Sequence, residues 1–172
     1  STTFGNVTIN NSNGVTLSVG TTVAGTLTLT NGVVTLGTND LTIGSAGGIS
    51  GGSSSSFVVT NSSGVLKQVG IATGASTNKK NFPVGVSSTS YTPVTLANTG
   101  TSDDFTVRVT SQMLLNGTTG SAFTSERVNR TWLIEELTSG GSNATISLGW
   151  NAAEELTNFN RASSFITHYT NS

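Results

Sequence analysis

The sequence predicts an all-β fold: a short N-terminal parallel β-solenoid followed by an antiparallel β-sandwich. Three observations carry this expectation. Apolar-Thr-apolar triplets fill the first fifty residues, they recur at a spacing near twenty, and beyond residue 56 the strands lengthen and aromatic and charged residues enter.

The triplets are Val7-Thr8-Ile9, Val15-Thr16-Leu17, Leu27-Thr28-Leu29, Val34-Thr35-Leu36 and Leu41-Thr42-Ile43. Neighbouring side chains of a strand point to opposite faces, so each triplet sends two branched groups inward and one Thr outward. Helix is disfavoured, because β-branched residues dominate and Gly or Asn interrupts every five to eight positions. Pairing position 7 with 27, 15 with 34 and Val23 with Leu41 gives a repeat of 18 to 20 residues. A repeat of that length with about three short strands per turn suits a solenoid whose stacked coils share one core. About two and a half coils fit before the pattern ends. Asn10, Asn11, Asn13, Asn31 and Asn39 fall beside the expected turns, where Asn tolerates left-handed backbone and bonds locally. An antiparallel meander is the competing arrangement of the same triplets.

The stretch GGISGGSSSS, residues 47–56, is expected to be a flexible junction or a wide turn, giving a solenoid-like segment over 1–52 and a sandwich over 57–172. In the second part Val58 and Val59 begin a strand. Val94 with Leu96, Phe105 with Val107 and Val109, Trp132 with Ile134, and Ile146 with Leu148 and Trp150 each keep to one face at period two. Polar turns such as ANTGTSDD and TSGGSN separate these strands, as in antiparallel sandwiches. NAAEEL, residues 151–156, reads as a single helical turn.

Composition narrows the function. Ser, Thr, Asn and Gly, at 25, 31, 17 and 21 residues, make up more than half of the 172, against 7 Lys plus Arg and 8 Asp plus Glu. Regular apolar alternation argues against a low-complexity linker. No basic patch is dense enough to neutralise several phosphates, so nucleic acid is not an expected partner, and Lys67, Lys79 and Lys80 read as a solvated loop. There is no cysteine, which excludes disulfides and thiolate metal sites. No apolar run approaches the roughly 20 residues of a membrane-spanning helix.

An ordered set of motifs, LTLTNGVVTLGTNDLTIGSAGGISGGSSSSFV followed by NFPVG, YTPVTLANTGT, FTVRV, VNRTWLIEE, ISLGWNAAEE and FITHYTN, resembles a module of large secreted surface proteins of Bacteroidota, of the kind exported by type IX secretion. The resemblance covers nearly the whole chain. It implies an extracellular or cell-surface, non-catalytic, β-rich stalk or adhesin-like segment with no catalytic residues and no cofactor. Similar modules continue beyond HYTN, which leaves a fragment, a processed form and a chain completed by a strand from elsewhere as open readings.

The inventory of reactive groups points the same way. His168 is the single histidine; on an expected FITHYTN strand it lies opposite the aromatic face, and no Gly-x-Ser-x-Gly elbow supports a triad. Adjacent Glu135 and Glu136 on a strand face opposite ways, which suits them poorly to paired acid-base work. Asp103-Asp104 reads as a solvated turn without the spaced acids of a calcium loop. Arg127, Arg130 and Arg161 are expected to pair with Glu126, Glu154 or Glu155, and Trp132 and Trp150 to be core.

Two surfaces remain as candidates. Thr26, Thr28 and Thr30 project from one strand at nearly 7 Å intervals, at about 3.3 Å of rise per residue, a ladder suited to glycan or ordered water. Strand sequence starts at Phe4, and no charged residue precedes Asp40. Phe4, Val7 and Ile9 are therefore the expected assembly edge, where a first coil lacking a polar cap stacks on another copy or a neighbouring module. The expectation is a structural or adhesive surface module that builds a fibre or stalk, with a glycan- or ice-binding module as the alternative and an enzyme as the least favoured class.

Overall fold

Three short strands separated by tight corners form each coil of the N-terminal half. The computed structural model describes residues 1–72 and 79–169. The first coil holds β1 (Thr2–Phe4), β2 (Val7–Asn10) and β3 (Val15–Thr16), and the second β4 (Thr21–Val23), β5 (Thr26–Asn31) and β6 (Val34–Thr35). The third holds β7 (Leu41–Ile43), β8 (Gly48–Gly51) and β9 (Val58–Val59), and a fourth turn supplies β10 (Leu66–Ile71), β11 (Lys80–Phe82) and β12 (Val84–Ser87). Parallel ladders join β1-β4-β7-β10, β2-β5-β8 and β3-β6-β9-β12. The protein is thus all-β with solenoid-like stacking, and the meander is excluded for this half.

Register follows the triplets. Val7 opposes Leu27 and Val15 opposes Val34, as the spacing predicts. Val23, however, opposes Ile43, while Thr21 opposes Leu41. The shift of two preserves the alternation, and so the same inward face, which is why spacing alone missed it. Leu27, Leu36, Leu41 and Ile43 are at most 2% exposed.

The segment 47–56 is not a flexible junction. Ile49 opposes Leu27 within β8, the Ser56 hydroxyl is buried and donates to the Gly32 carbonyl at 2.9 Å, and Ser53 and Ser56 exchange backbone hydrogen bonds. Gly51 stands at φ +79°, where an added Cβ would meet the Leu29 carbonyl oxygen of the coil below, so its glycine is imposed by stacked corners. The ladders therefore run past residue 52, completing the third coil with β9 and continuing through a fourth.

Beyond β12 the chain reverses. β13 (Ser90–Tyr91) pairs antiparallel with β12, and β14 (Val94–Asn98) with β11. β15 (Asp103–Thr110) lies antiparallel to β10; a hairpin of β16 (Leu114–Asn116) and β17 (Thr119–Ala122) follows. β18 (Thr131–Glu136) then pairs with β15, and β19 (Ala144–Leu148) with β14. The first face becomes a six-stranded mixed sheet, β1-β4-β7-β10-β15-β18. One apolar cluster runs without a break from Ile9 through Val34, Leu66 and Phe82 to Phe105 and Val109. Residues 152–154 form the expected single turn, a 3-10 helix.

Several local expectations are corrected. Asp103 and Asp104 open β15 rather than lying in a turn, and Lys67 and Lys80 lie in β10 and β11 rather than in a loop. Asn10 and Asn31 end strands and oppose each other. No strand forms over 164–169; Phe165, Ile166 and His168 are exposed there, and Thr170 and Asn171 of the FITHYTN motif lie outside the described residues.

Candidate functional site

The two ends of the stack differ. At the far end antiparallel strands continue two of the faces beyond the fourth coil as far as the edge strands β18 and β19, with Phe82, Val94, Leu96 and Val107 fully buried and Trp132, Ile134, Ile146 and Leu148 packed against them. At the near end, among the described residues, nothing covers the first coil.

That open rung is apolar inside. Phe4 is 47% exposed, Val19 45% and Val15 36%, whereas the residues opposite them one coil deeper, Val23 under Phe4 and Val34 under Val15, are at most 2% exposed. Val7 and Leu17 are half-buried and Ile9 is nearly covered. Together they rim a hollow of about 400 Å³ whose floor is Val23, Leu27, Val34 and Leu41 of deeper coils, and every residue around it is uncharged. The expected assembly edge, Phe4, Val7 and Ile9, is brought together here, and the structure adds Val15, Leu17 and Val19. Val15 and Leu17 belonged to a recognised triplet; their exposure follows from being in the end coil, which periodicity does not report.

The rim also carries unpaired backbone. The Val15 and Leu17 amides donate to Val33 and Thr35 carbonyls of the second coil at 2.8 and 2.9 Å. Successive amides of a strand point to alternate sides, so the Thr16 N–H between them points away from the stack. Thr3 stands likewise beside Thr2, whose amide donates to Gly20 at 3.0 Å. Unpaired donors beside an apolar rim are the template on which another strand adds.

Asparagines hold this coil in shape. The Asn11 amide donates to the Gly14 carbonyl at 3.0 Å while its Oδ1 accepts from the Asn13 amide at 3.1 Å, closing one corner. Asn6 Oδ1 accepts from the Thr26 amide at 2.7 Å and the Asn39 amide donates back to Leu17 at 3.0 Å, each tying one coil to the next. The edge is thus preorganised.

The Thr ladder is narrower than its strand suggests. Thr26 and Thr30 are exposed and Thr28 half-buried. Thr28 continues sideways into Thr8 and Ser50, but Thr26 faces Gly48 and Thr30 falls at the register shift between Ile9 and Asn10. One cross-strand row of three hydroxyls results.

The charged groups are distributed rather than gathered. Lys67 pairs with Asp104 at 2.8 Å, and Gly70 donates its amide to Asp104 at 2.8 Å. Burial works against the Asp104 carboxylate, but the Lys67 hydrogen bond, the Gly70 amide and the Lys67 charge outweigh it and hold its pKa below the ordinary value. Asp103 is buried and accepts from the Thr138 amide at 3.0 Å. Arg130 reaches buried Glu154 at 3.1 Å, with the Ser90 hydroxyl donating to the same carboxylate. Arg161 pairs with Glu155; Arg127 instead lies 5.2 Å from the Phe123 ring centre. Trp132 donates its indole N–H to the Thr92 carbonyl at 3.1 Å and Trp150 to Glu155 at 2.8 Å, both half-buried. His168 meets none of these clusters among the described residues. Glu136 is engaged by the Gly140 amide at 2.9 Å, while Glu135 on the neighbouring position opposes Thr106.

Comparison with protein families, with curated proteins and with solved structures gives no match. Function has to be argued from the geometry of the chain itself.

Proposed function

We propose that this chain is a non-catalytic structural or adhesive module of a secreted surface protein, joined end to end with another coil of the same kind through its open first rung. The observation that supports this most strongly is the difference between the ends: antiparallel strands follow the fourth coil, whereas the first coil presents an apolar, uncharged hollow beside unpaired backbone. A parallel coil with the same triplet idiom places branched groups into the hollow and strands beside Thr3 and Thr16. In the simplest case it belongs to a second copy. The antiparallel strands β13 to β19 act in this reading as a cap, which is the part of the sandwich expected over 57–172 that lies beyond the fourth coil. The motif resemblance to Bacteroidota surface modules and a Ser/Thr/Asn exterior favour an extracellular setting.

Sedimentation velocity over a concentration series tests the proposal. The mass of the intact chain is expected to grow with concentration, and Val7→Lys, which puts a charge at the rim, to hold it monomeric with an unchanged circular dichroism spectrum. A chain that stays monomeric at high concentration removes self-association and assigns the rung to a coil elsewhere in a longer protein.

A further inference from the structure

A second hollow, of about 360 Å³, lies at the opposite end of the stack, on the outer face of the β11-β14-β19 sheet. Its floor is one row across three strands: Asn81 opposes Thr95, and Thr95 opposes Ser147. Strands lie about 4.8 Å apart, so an amide and two hydroxyls stand in line at that spacing. Among the described residues, none of these three side chains has a hydrogen-bond partner within the protein, in contrast to Asn6, Asn11, Asn39 and Asn98, whose side chains all bond to backbone. The row carries donors and acceptors that the fold itself does not use.

One side of the hollow is apolar and rigid. Tyr91 is half-buried, its ring 5.3 Å from that of fully buried Phe57, and Pro93 stands beside it. Gly149 lies against Pro93, donating its amide to the Pro93 carbonyl at 2.8 Å, and the Pro93 ring fills the place a Cβ would take there, 3.0 Å from it. Every residue lining the hollow is uncharged.

We infer that this hollow is a binding site for a neutral carbohydrate chain, lying along the Asn81-Thr95-Ser147 row with one ring against Tyr91. A sugar ring offers an apolar C–H face to an aromatic ring and hydroxyls around its edge to amides and hydroxyls, which is the division of chemistry found here. The absence of charge from the lining disfavours phosphate, sulfate and uronate ligands, which require cationic partners when desolvated. The site is separate from the open rung, so the module can be held in a fibre by one end and present this face to a glycan.

The test titrates the intact chain with cellohexaose, xylohexaose and mannohexaose, and with an oligogalacturonate as the acidic control, by calorimetry and by amide chemical shifts. At least one neutral hexasaccharide is expected to bind and to move the amides of Asn81, Thr95, Ser147 and Gly149, while the acidic one does not. Asn81→Ala and Ser147→Ala, both on the outer face, are each expected to weaken binding by roughly tenfold, the loss of about one hydrogen bond. Tyr91→Phe keeps the ring and is expected to retain affinity, whereas Tyr91→Ala loses it; should Tyr91→Ala unfold, the two outer-face variants decide alone. The monomeric Val7→Lys chain is expected to bind as the wild type does, so failure of end-to-end joining and failure of this site are read separately. The inference is overturned if no neutral hexasaccharide moves these amides, if the acidic control binds as well as they do, or if the Asn81→Ala/Ser147→Ala double variant binds undiminished.

Discussion

Truncating one core column at successive depths measures how open the first coil is. Phe4, Val23 and Ile43 oppose one another in β1, β4 and β7, at 47%, 1% and 1% exposure. Ile43→Ala removes a fully buried side chain between two coils and should cost about 3.5 kcal/mol, in the middle of the range for such truncations. A fully buried Phe→Ala costs about 4 kcal/mol, but roughly half of Phe4 is already in water, so Phe4→Ala should cost about 2 kcal/mol in the monomer. Joining of two rungs buries the remainder, and the Phe4→Ala penalty should then climb towards about 4 kcal/mol, while that of Ile43→Ala stays constant. The assay is urea unfolding of wild type and both variants, at protein concentrations below and above the association range found by sedimentation. The reasoning is refuted if Phe4→Ala costs as much as Ile43→Ala at the lowest concentration, because the end would then be covered from within the chain. A Phe4→Ala penalty independent of concentration would refute burial by a second copy.

Three other outcomes follow from the same structure. The Asp104 carboxylate has a folded pKa below its unfolded value near 3.9, so its contribution to stability is present above about pH 4 and is lost as pH falls through the lowered folded value; thermal unfolding between pH 6 and about pH 2 should show a smaller decline in Asp104→Asn. Glu154→Ala strands Arg130, whose side chain is 14% exposed, and should cost about 3 kcal/mol in urea unfolding, whereas a loss near zero would show the pair to be dispensable. Gly32→Ala places a methyl against the Asn11 carbonyl at φ +80° and should lower stability by roughly 3 kcal/mol, while Gly37→Ala, at φ +60° with open space around it, should cost about 1 kcal/mol.

The coils could be read from sequence where two branched residues flank one Thr, because that pattern states both strand and inward face. β2, β3, β5, β6 and β7 follow the triplets, and the 7–27 and 15–34 registers follow their spacing. β8 was hidden: Gly48-Ile49-Ser50-Gly51 offers a single apolar side chain, and its pairing is imposed by Thr26–Leu29 beside it. β10 was hidden by Gln68, which is 3% exposed in an inward position and is satisfied there by donating its amide to the Asn81 carbonyl at 2.7 Å. Such a partner belongs to a later strand and leaves no local signature. Of the candidate surfaces, Phe4, Val7 and Ile9 line one hollow because their apolar alternation, readable from sequence, turns them to the same inner face. The Asn81-Thr95-Ser147 row was not, since its members lie on three strands brought together by antiparallel pairing that no short-range period encodes.

The central claim, that the first rung is a joining surface, is tested most directly by amide hydrogen exchange at its rim. The Thr3 and Thr16 amides point off the stack and exchange freely in a monomer, so their rates report occupancy of the edge itself. The account predicts that both slow markedly as the chain is concentrated and return to free-exchange rates in Val7→Lys, with β18 amides unaffected throughout. Thr3 and Thr16 amides that exchange freely at every concentration, or protection that appears only at β18 and β19, would contradict it.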